Sequence, residues 1–222
     1  MKYKNKSTNN IDIFFKNYRY IEKIKNLFPY ANWEDCLSQG QVDSKLWLID
    51  ELLKLNLDLG TIFVFGGWYG TLPKFMFESD LKLDKIRSFD IDPESTEISE
   101  TVNRKYVLDS WKFKSTTFDI FNLRYPLVYI SLRRDKSEVE LSDNPNTIIN
   151  TSSEHMSSKW FEDVPKNTLV IIQSNDFLEG NGHINCSKNI NELKSKFDFS
   201  KILYSGTLEL QKYNRFMIIG YK

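Results

Sequence analysis

Gly66, Gly67 and Gly70, with Trp68 and Tyr69 between them, follow directly on the apolar run Thr61 to Phe65. Glycines at the carboxyl end of a buried strand let the backbone turn sharply and leave room for a ligand, and a helix that follows offers unpaired amides. Twenty residues past Gly70, Asp90 closes a second strand-like run, Lys85 to Phe89, and is followed by Ile91 and Asp92. A carboxylate there is placed to accept hydrogen bonds from ribose hydroxyls. Asp119, with Ile120 after it, ends a third run, Trp111 to Phe118, where an acid can accept from an exocyclic amine or simply cap a turn. Strand, glycine turn, helix, strand and acid in that order point to a nucleoside-containing ligand. A structural βαβ unit with no ligand is the plain alternative.

A second set of groups lies further along. Thr147 to Asn150 reads as a strand, and Thr151, Ser152, Ser153, Glu154 and His155 follow it. A histidine just past a strand end can act as a base near neutral pH, or it can buttress a turn. The β-branched run Thr168 to Ile172 leads into Gln173, Ser174, Asn175 and Asp176, and the loop LEGNGHINC adds His183, Asn185 and Cys186. Gln173, Asn175, His183 and Asn185 are therefore candidate substrate contacts, with His155, Glu154 and Asp176 as candidate bases. Earlier in the chain, Gln41 and Lys45 lie in a polar stretch before the first strand, able to reach a carboxylate or to serve as a solvated helix start.

The elements that must position these groups follow from periodicity. Residues 1 to 8 are polar and read as a frayed end. A helical stripe of Ile11, Phe14, Phe15, Tyr18, Ile21, Ile24, Leu27 and Phe28 ends at Pro29 and offers a packing surface or a homodimer contact. A second helix buries Leu46, Ile49, Leu52 and Leu53, with Asp43 or Ser44 near its cap. Pro73 suits an early helical position after the glycine turn, and Asp92-Pro93 an N-cap and first residue. Residues 121 to 146 combine a strand-like run, Leu127 to Leu132, with a strongly polar segment, and read as an insertion or lid near the cleft, where Arg133 and Arg134 could meet an anion. Asn189 to Phe197 is helical, and Lys201 to Leu210 with Arg215 to Tyr221 forms an antiparallel hairpin. The division is an N-terminal helical extension, 1–40, and one α/β domain, 41–222.

Composition narrows the function classes. The chain has 222 residues, 41% hydrophobic and 27% charged, with 30 Lys and Arg against 30 Asp and Glu. That balance lacks the electrostatic footprint of a duplex-DNA-binding protein, although a local patch could touch RNA. Two cysteines in unrelated contexts argue against a disulfide framework or a zinc site, so no metal is expected and a reducing cytoplasm is the expected compartment. No stretch has the length of a membrane span.

FVFGGWYG, SFDID, TFDIF and INTSSEHM, in that order, resemble the motifs of the class I S-adenosylmethionine-dependent methyltransferases over approximately residues 41 to 222. The resemblance implies a Rossmann-like, mostly parallel seven-stranded sheet with the last strand inserted antiparallel. It implies S-adenosylmethionine as cofactor, with Gly66, Gly67, Trp68, Tyr69 and Gly70 at its methionine part, Asp90 and Ile91 at the ribose, Asp119 and Ile120 near the adenine, and Thr151 on the fourth strand's exit. Trp68 stands where the family's middle glycine is usual, and Val64 where an acid is common. A bulky indole there narrows the pocket, stacks on the ligand or displaces it. The family's Asn/Asp-Pro-Pro-aromatic motif is absent, which argues against DNA-adenine methylation and leaves a small-molecule, protein or RNA acceptor. Two other readings stay open: transfer of another part of the same cofactor or its cleavage, and a binding or assembly module that keeps the fold without the pocket. The glycine spacing does not fit G-x-G-x-x-G, so a nicotinamide enzyme is the weaker reading.

Overall fold

A computed structural model of the chain describes residues 8–132, 135–180 and 182–222. Helices α1 (Thr8–Lys25), α2 (Trp33–Cys36) and α3 (Gln39–Leu55) precede strand β1 (Thr61–Phe65). Then come α4 (Thr71–Phe77), β2 (Lys85–Asp90), α5 (Pro93–Val102), α6 (Arg104–Leu108) and β3 (Phe113–Thr117). A hairpin, β4 (Leu127–Leu132) and β5 (Glu138–Asp143), precedes β6 (Thr147–Asn150) and β7 (Leu169–Asn175). The chain closes with α7 (Ile190–Ser195), β8 (Lys201–Glu209) and β9 (Asn214–Tyr221).

Seven strands form one sheet in the order β3-β2-β1-β6-β7-β9-β8. The first five of these are parallel, and β9 lies antiparallel between β7 and β8. The order reverses between β1 and β6, so the carboxyl ends of these two strands open a crevice at a topological switch point. Strand β1 is buried along its whole length. Its alternate residues serve different faces: Ile62 and Val64 join α3 and α4 in one core, whereas Phe63 and Phe65 join Trp160, Phe161 and Phe197 in the other.

Several local expectations shift. The cap of α3 is Ser38, whose side chain accepts from the Gln41 amide, so Asp43, Ser44 and Lys45 sit inside the helix and are buried. The division at residue 40 consequently falls in the first turn of α3. The buried face of α1 is Asn17, Ile21 and Ile24, which with Phe28 lies against Trp33, Tyr69, Ile98 and Val102, while Phe15, Tyr18 and Leu27 are exposed. The side chains of Ile11 and Phe14, residues 1–7, Asn181, Arg133 and Arg134 lie outside the described residues. The cap at Asp92 holds: its carboxylate accepts from the Glu94 and Ser95 amides, and Pro93 opens α5.

The hairpin is not a lid. Asp143 at the end of β5 binds Arg87 Nε at 2.6 Å, Tyr129 Oη at 2.8 Å and Lys85, the residue that begins β2. These contacts tie β4 and β5 to the amino-terminal part of the sheet, opposite the edge that Asp90 reaches. Among the described residues, the crossover from β3 to β6 contains this hairpin where a helix would ordinarily run. Leu123, Tyr125 and Leu127 cover the sheet there, with Tyr125 stacked on Phe63.

Candidate active site

The chain leaves β1 through Gly66, which has φ +60°. A Cβ on the next residue, Gly67, would overlap Ser88 Oγ on β2, so the turn lies against β2 so closely that a side chain there would displace that hydroxyl. The Gly67 amide donates to Phe89 O at 3.1 Å. Trp68 adopts φ +46°, a left-handed conformation uncommon for an aromatic residue, and its amide donates to Asp90 Oδ2 at 2.8 Å. Asp90 Oδ1 accepts from the Asp92 amide at 3.1 Å. Each oxygen keeps a second acceptor site. Burial raises the Asp90 pKa, opposed by the amide hydrogen bonds from Asp92 and Trp68.

These groups open onto a cavity of about 750 Å³, within the range of small-molecule sites. Gly66, Gly67, Trp68, Asp90, Ile91, Asp119, Ile120 and Thr151 line it. Trp68 forms part of the wall, beside Tyr69 with ring centroids 4.8 Å apart, and leaves the cavity open. Phe118, Ile120 and Phe121 make an apolar end next to Asp119, whose Oδ1 accepts from the Phe121 amide. Gln41 and Lys45 approach from α3. Lys45 Nζ donates to Gln41 Oε1 at 2.7 Å, and burial lowers its pKa to about 8.

A second cavity, about 900 Å³, shares Asp35, Gln41, Glu154 and His155 as walls with the first. Asn175, His183, Tyr213 and Arg215 line its far side. Glu154 is 2% exposed, and its Oε1 accepts from Asn175 Nδ2 at 2.7 Å and Arg215 Nη2 at 3.4 Å. The exposed His155 sets its Nδ1 3.2 Å from Gly182 O. Its ring meets that of His183 edge to face, centroids 4.6 Å apart.

Five expected site residues lie away from both cavities. Tyr69 is buried toward the N-terminal helices and accepts from the Asn32 amide at 3.1 Å. Gly70, at φ +70°, caps α4, and a Cβ there would come 2.6 Å from Asn103 Nδ2, so its bareness serves the packing of α4 on α5. Gln173 is fully buried inside β7 and donates to Ser44 O, Asn185 holds Met156 O at 3.0 Å, and the Asp176 carboxylate takes the Asn214 amide and side chain. Polar residues at a strand's end look alike in sequence whether they face a ligand or satisfy backbone. Met156, Ser157, Phe118, Phe121, Ile184 and Arg215 join the walls without having been singled out for this role. Only Arg215, a charge heading the apolar run FMIIG, carried a signal.

No family model and no curated protein matches the sequence. Solved structures match its shape. The N-methyltransferase NodS from Bradyrhizobium japonicum WM9 in complex with S-adenosyl-L-homocysteine superposes with a TM-score of 0.63 at 8% identity, covering 93% of this chain and 98% of that one. The magnesium protoporphyrin IX methyltransferase ChlM from Synechocystis PCC 6803 with bound S-adenosylmethionine gives 0.59 at 11% identity, covering 93% and 97%. The fold is that of the class I S-adenosylmethionine-dependent methyltransferases. A putative RNA methyltransferase from Pyrococcus horikoshii shares the class I fold at a TM-score of 0.52 and 12% identity, covering 84% of this chain and 85% of that one. The strand order and the antiparallel β9 match the architecture expected for this class I fold, and none of the described helices is long and apolar enough to cross a membrane.

Proposed function

We propose that the protein is an S-adenosylmethionine-dependent methyltransferase. The observation that carries this reading is the placing of Asp90: a half-buried carboxylate, fixed by two amides, on the wall of an open cavity that also holds Gly66, Gly67 and the apolar Phe118–Phe121 end. Asp90 would accept from the ribose hydroxyls and the Ile120–Phe121 turn would flank the adenine. Protonated Lys45, with Gln41 beside it, is the candidate partner for the carboxylate of the methionine part.

The reaction is an in-line displacement. S-adenosylmethionine, when bound, would supply a methyl group on a sulfonium that a lone pair of the acceptor can take, with S-adenosylhomocysteine as the leaving group. The protein's contribution is to align the reacting groups and exclude water. The cavity beyond Glu154 and His155 is where the acceptor would enter, whether a small molecule, a protein or an RNA. His155 is the candidate base for an acceptor that must lose a proton. Glu154 has Oε1 engaged by Asn175 and Arg215, which fixes the carboxylate, and it is the candidate positioning residue.

Calorimetry with S-adenosylhomocysteine tests the reading. Micromolar binding, about −8 kcal/mol, is expected for the intact protein, with a loss of about 2–3 kcal/mol in Asp90→Ala. No binding, or an unchanged affinity in Asp90→Ala, would remove its basis. The mass of the nucleoside product, S-adenosylhomocysteine against methylthioadenosine, separates methyl transfer from other uses of the cofactor.

A further inference from the structure

We propose that Glu154, His155 and His183 bind a divalent transition-metal ion on the wall between the two cavities. Among the described residues, one ligand atom from each of these three side chains lies within 4.8 Å of the other two. Metal–ligand bonds of about 2.1 Å bring donors to roughly 3–3.5 Å from one another, so side-chain adjustment of about an ångström completes the set.

Two independent features prepare these groups for a cation. The first is the imidazole tautomer. His155 Nδ1 faces Gly182 O at 3.2 Å, and His183 Nδ1 faces Phe177 O at 2.6 Å. A carbonyl only accepts, so the tautomer that makes both bonds has each Nδ1 protonated and leaves each Nε2 its lone pair. Backbone carbonyls orient metal-binding histidines in this way. The second is Glu154. Its Oε1 is shared by Asn175 and Arg215, but the buried Oε2 has no hydrogen-bond partner. A buried carboxylate oxygen without a partner is costly, and a cation would satisfy it.

The donor set also selects the ion. Arg215 balances the Glu154 charge, which leaves little net attraction for a hard cation that depends on carboxylates. Two imidazoles with one carboxylate and open positions suit Zn²⁺ or Co²⁺ better than Mg²⁺ or Ca²⁺. The expectation of no metal rested on the spacing of the cysteines. Here the ligands come from two segments 28 residues apart in sequence, brought together by the exits of β6 and β7. Glu154 and His155 line both cavities and His183 the larger one, so the ion would stand where an acceptor oxygen approaches the methyl group. With the ion bound, the His155 lone pair would be occupied and the ion, in place of that base, would lower the acceptor's proton affinity. That placing rests on the methyl-transfer reading; the binding of the ion does not.

The test titrates chelator-treated protein with ZnCl₂ in the absence of cofactor and follows Co²⁺ by its visible absorption. One equivalent of Zn²⁺ is expected per chain, with affinity reduced at least about tenfold in His183→Gln and in His155→Gln, and Mg²⁺ not competing. Asp90→Ala should bind Zn²⁺ like the parent protein, so a failure of the cofactor reading leaves this result untouched. Circular dichroism establishes that each variant is folded, and the two histidine variants substitute for one another if one is not. No saturable binding, or the same affinity in a folded His183→Gln or His155→Gln protein, overturns the site. Mg²⁺ binding as tight as Zn²⁺ overturns the assignment of the ion.

Discussion

Two buried carboxylate–arginine pairs stand at opposite edges of the same sheet, and they are built differently. At the amino-terminal edge, Asp143 has both oxygens engaged: Lys85 takes one, and Arg87 at 2.6 Å with Tyr129 at 2.8 Å takes the other. Arg87 Nη1 donates to the carbonyls of Ile86 and Trp111. At the carboxyl-terminal edge, Glu154 and Arg215 are equally buried, yet they stand 3.4 Å apart, and both Glu154 Oε2 and Arg215 Nε lack partners. The first pair is a completed clasp between the hairpin and β2. The second leaves polar capacity facing two cavities. A carboxylate with both oxygens engaged has a structural task, whereas Glu154 on the cavity wall keeps an oxygen that a ligand could engage.

The largest effect should come from breaking the clasp. Asp143→Asn leaves two cations beside a neutral group in a buried setting and should destabilise the protein by about 3 kcal/mol, read by denaturant unfolding. Glu154→Gln keeps the Asn175 contact and strands one cation instead of two, Arg215 at the longer 3.4 Å separation, so it should cost less, about 2 kcal/mol. Equal losses at the two positions would contradict the comparison.

Gly67→Ala sharpens it from the cofactor side. The added methyl meets Ser88 Oγ and displaces that hydroxyl or shifts the turn by a few tenths of an ångström, so affinity for S-adenosylhomocysteine should fall by about 1 kcal/mol. Gly67→Ala combined with Ser88→Gly should regain part of it; no recovery would place the defect elsewhere.

A smaller effect follows from Lys45, held near a pKa of about 8 by burial. Its proton is lost as pH rises through that value, so affinity for the cofactor's carboxylate should weaken above about pH 8, and Lys45→Met should remove the inflection. The sign for stability is opposite. The unfolded chain keeps this proton up to the ordinary 10.5, so this group's contribution to folding improves between about pH 8 and 10.5. The smallest effect belongs to Glu78. Partial burial raises its pKa, but Tyr106, Lys16 and Lys74 outweigh that and hold it at about 2. Its contribution to stability is present above the ordinary 4.5 and is lost as pH falls toward 2, so Glu78→Gln should flatten acid unfolding there.

The strands were legible because their β-branched runs are bounded by turns, and Gly66, Gly67, Asp90 and Asp119 because each follows such a run. What escaped depends on distant partners. Arg87 and Asp143 are 56 residues apart, so nothing local shows that the polar segment after β4 clasps the sheet. Gln173 and Asn175 read as an exposed strand exit, but their side-chain amides donate to Ser44 O and Glu154, and β7 continues through them, buried. Asp176 beside them is turned to Asn214, a choice its own neighbours in sequence do not specify.

The most direct measurement is a crystal structure of the protein soaked with S-adenosylhomocysteine. The ribose hydroxyls should lie within hydrogen-bonding distance of the Asp90 carboxylate, the adenine against Ile120 and Phe121, and the sulfur toward Glu154 and His155. Ligand density absent from this cavity, or an adenosyl group lying elsewhere on the sheet, would contradict the account.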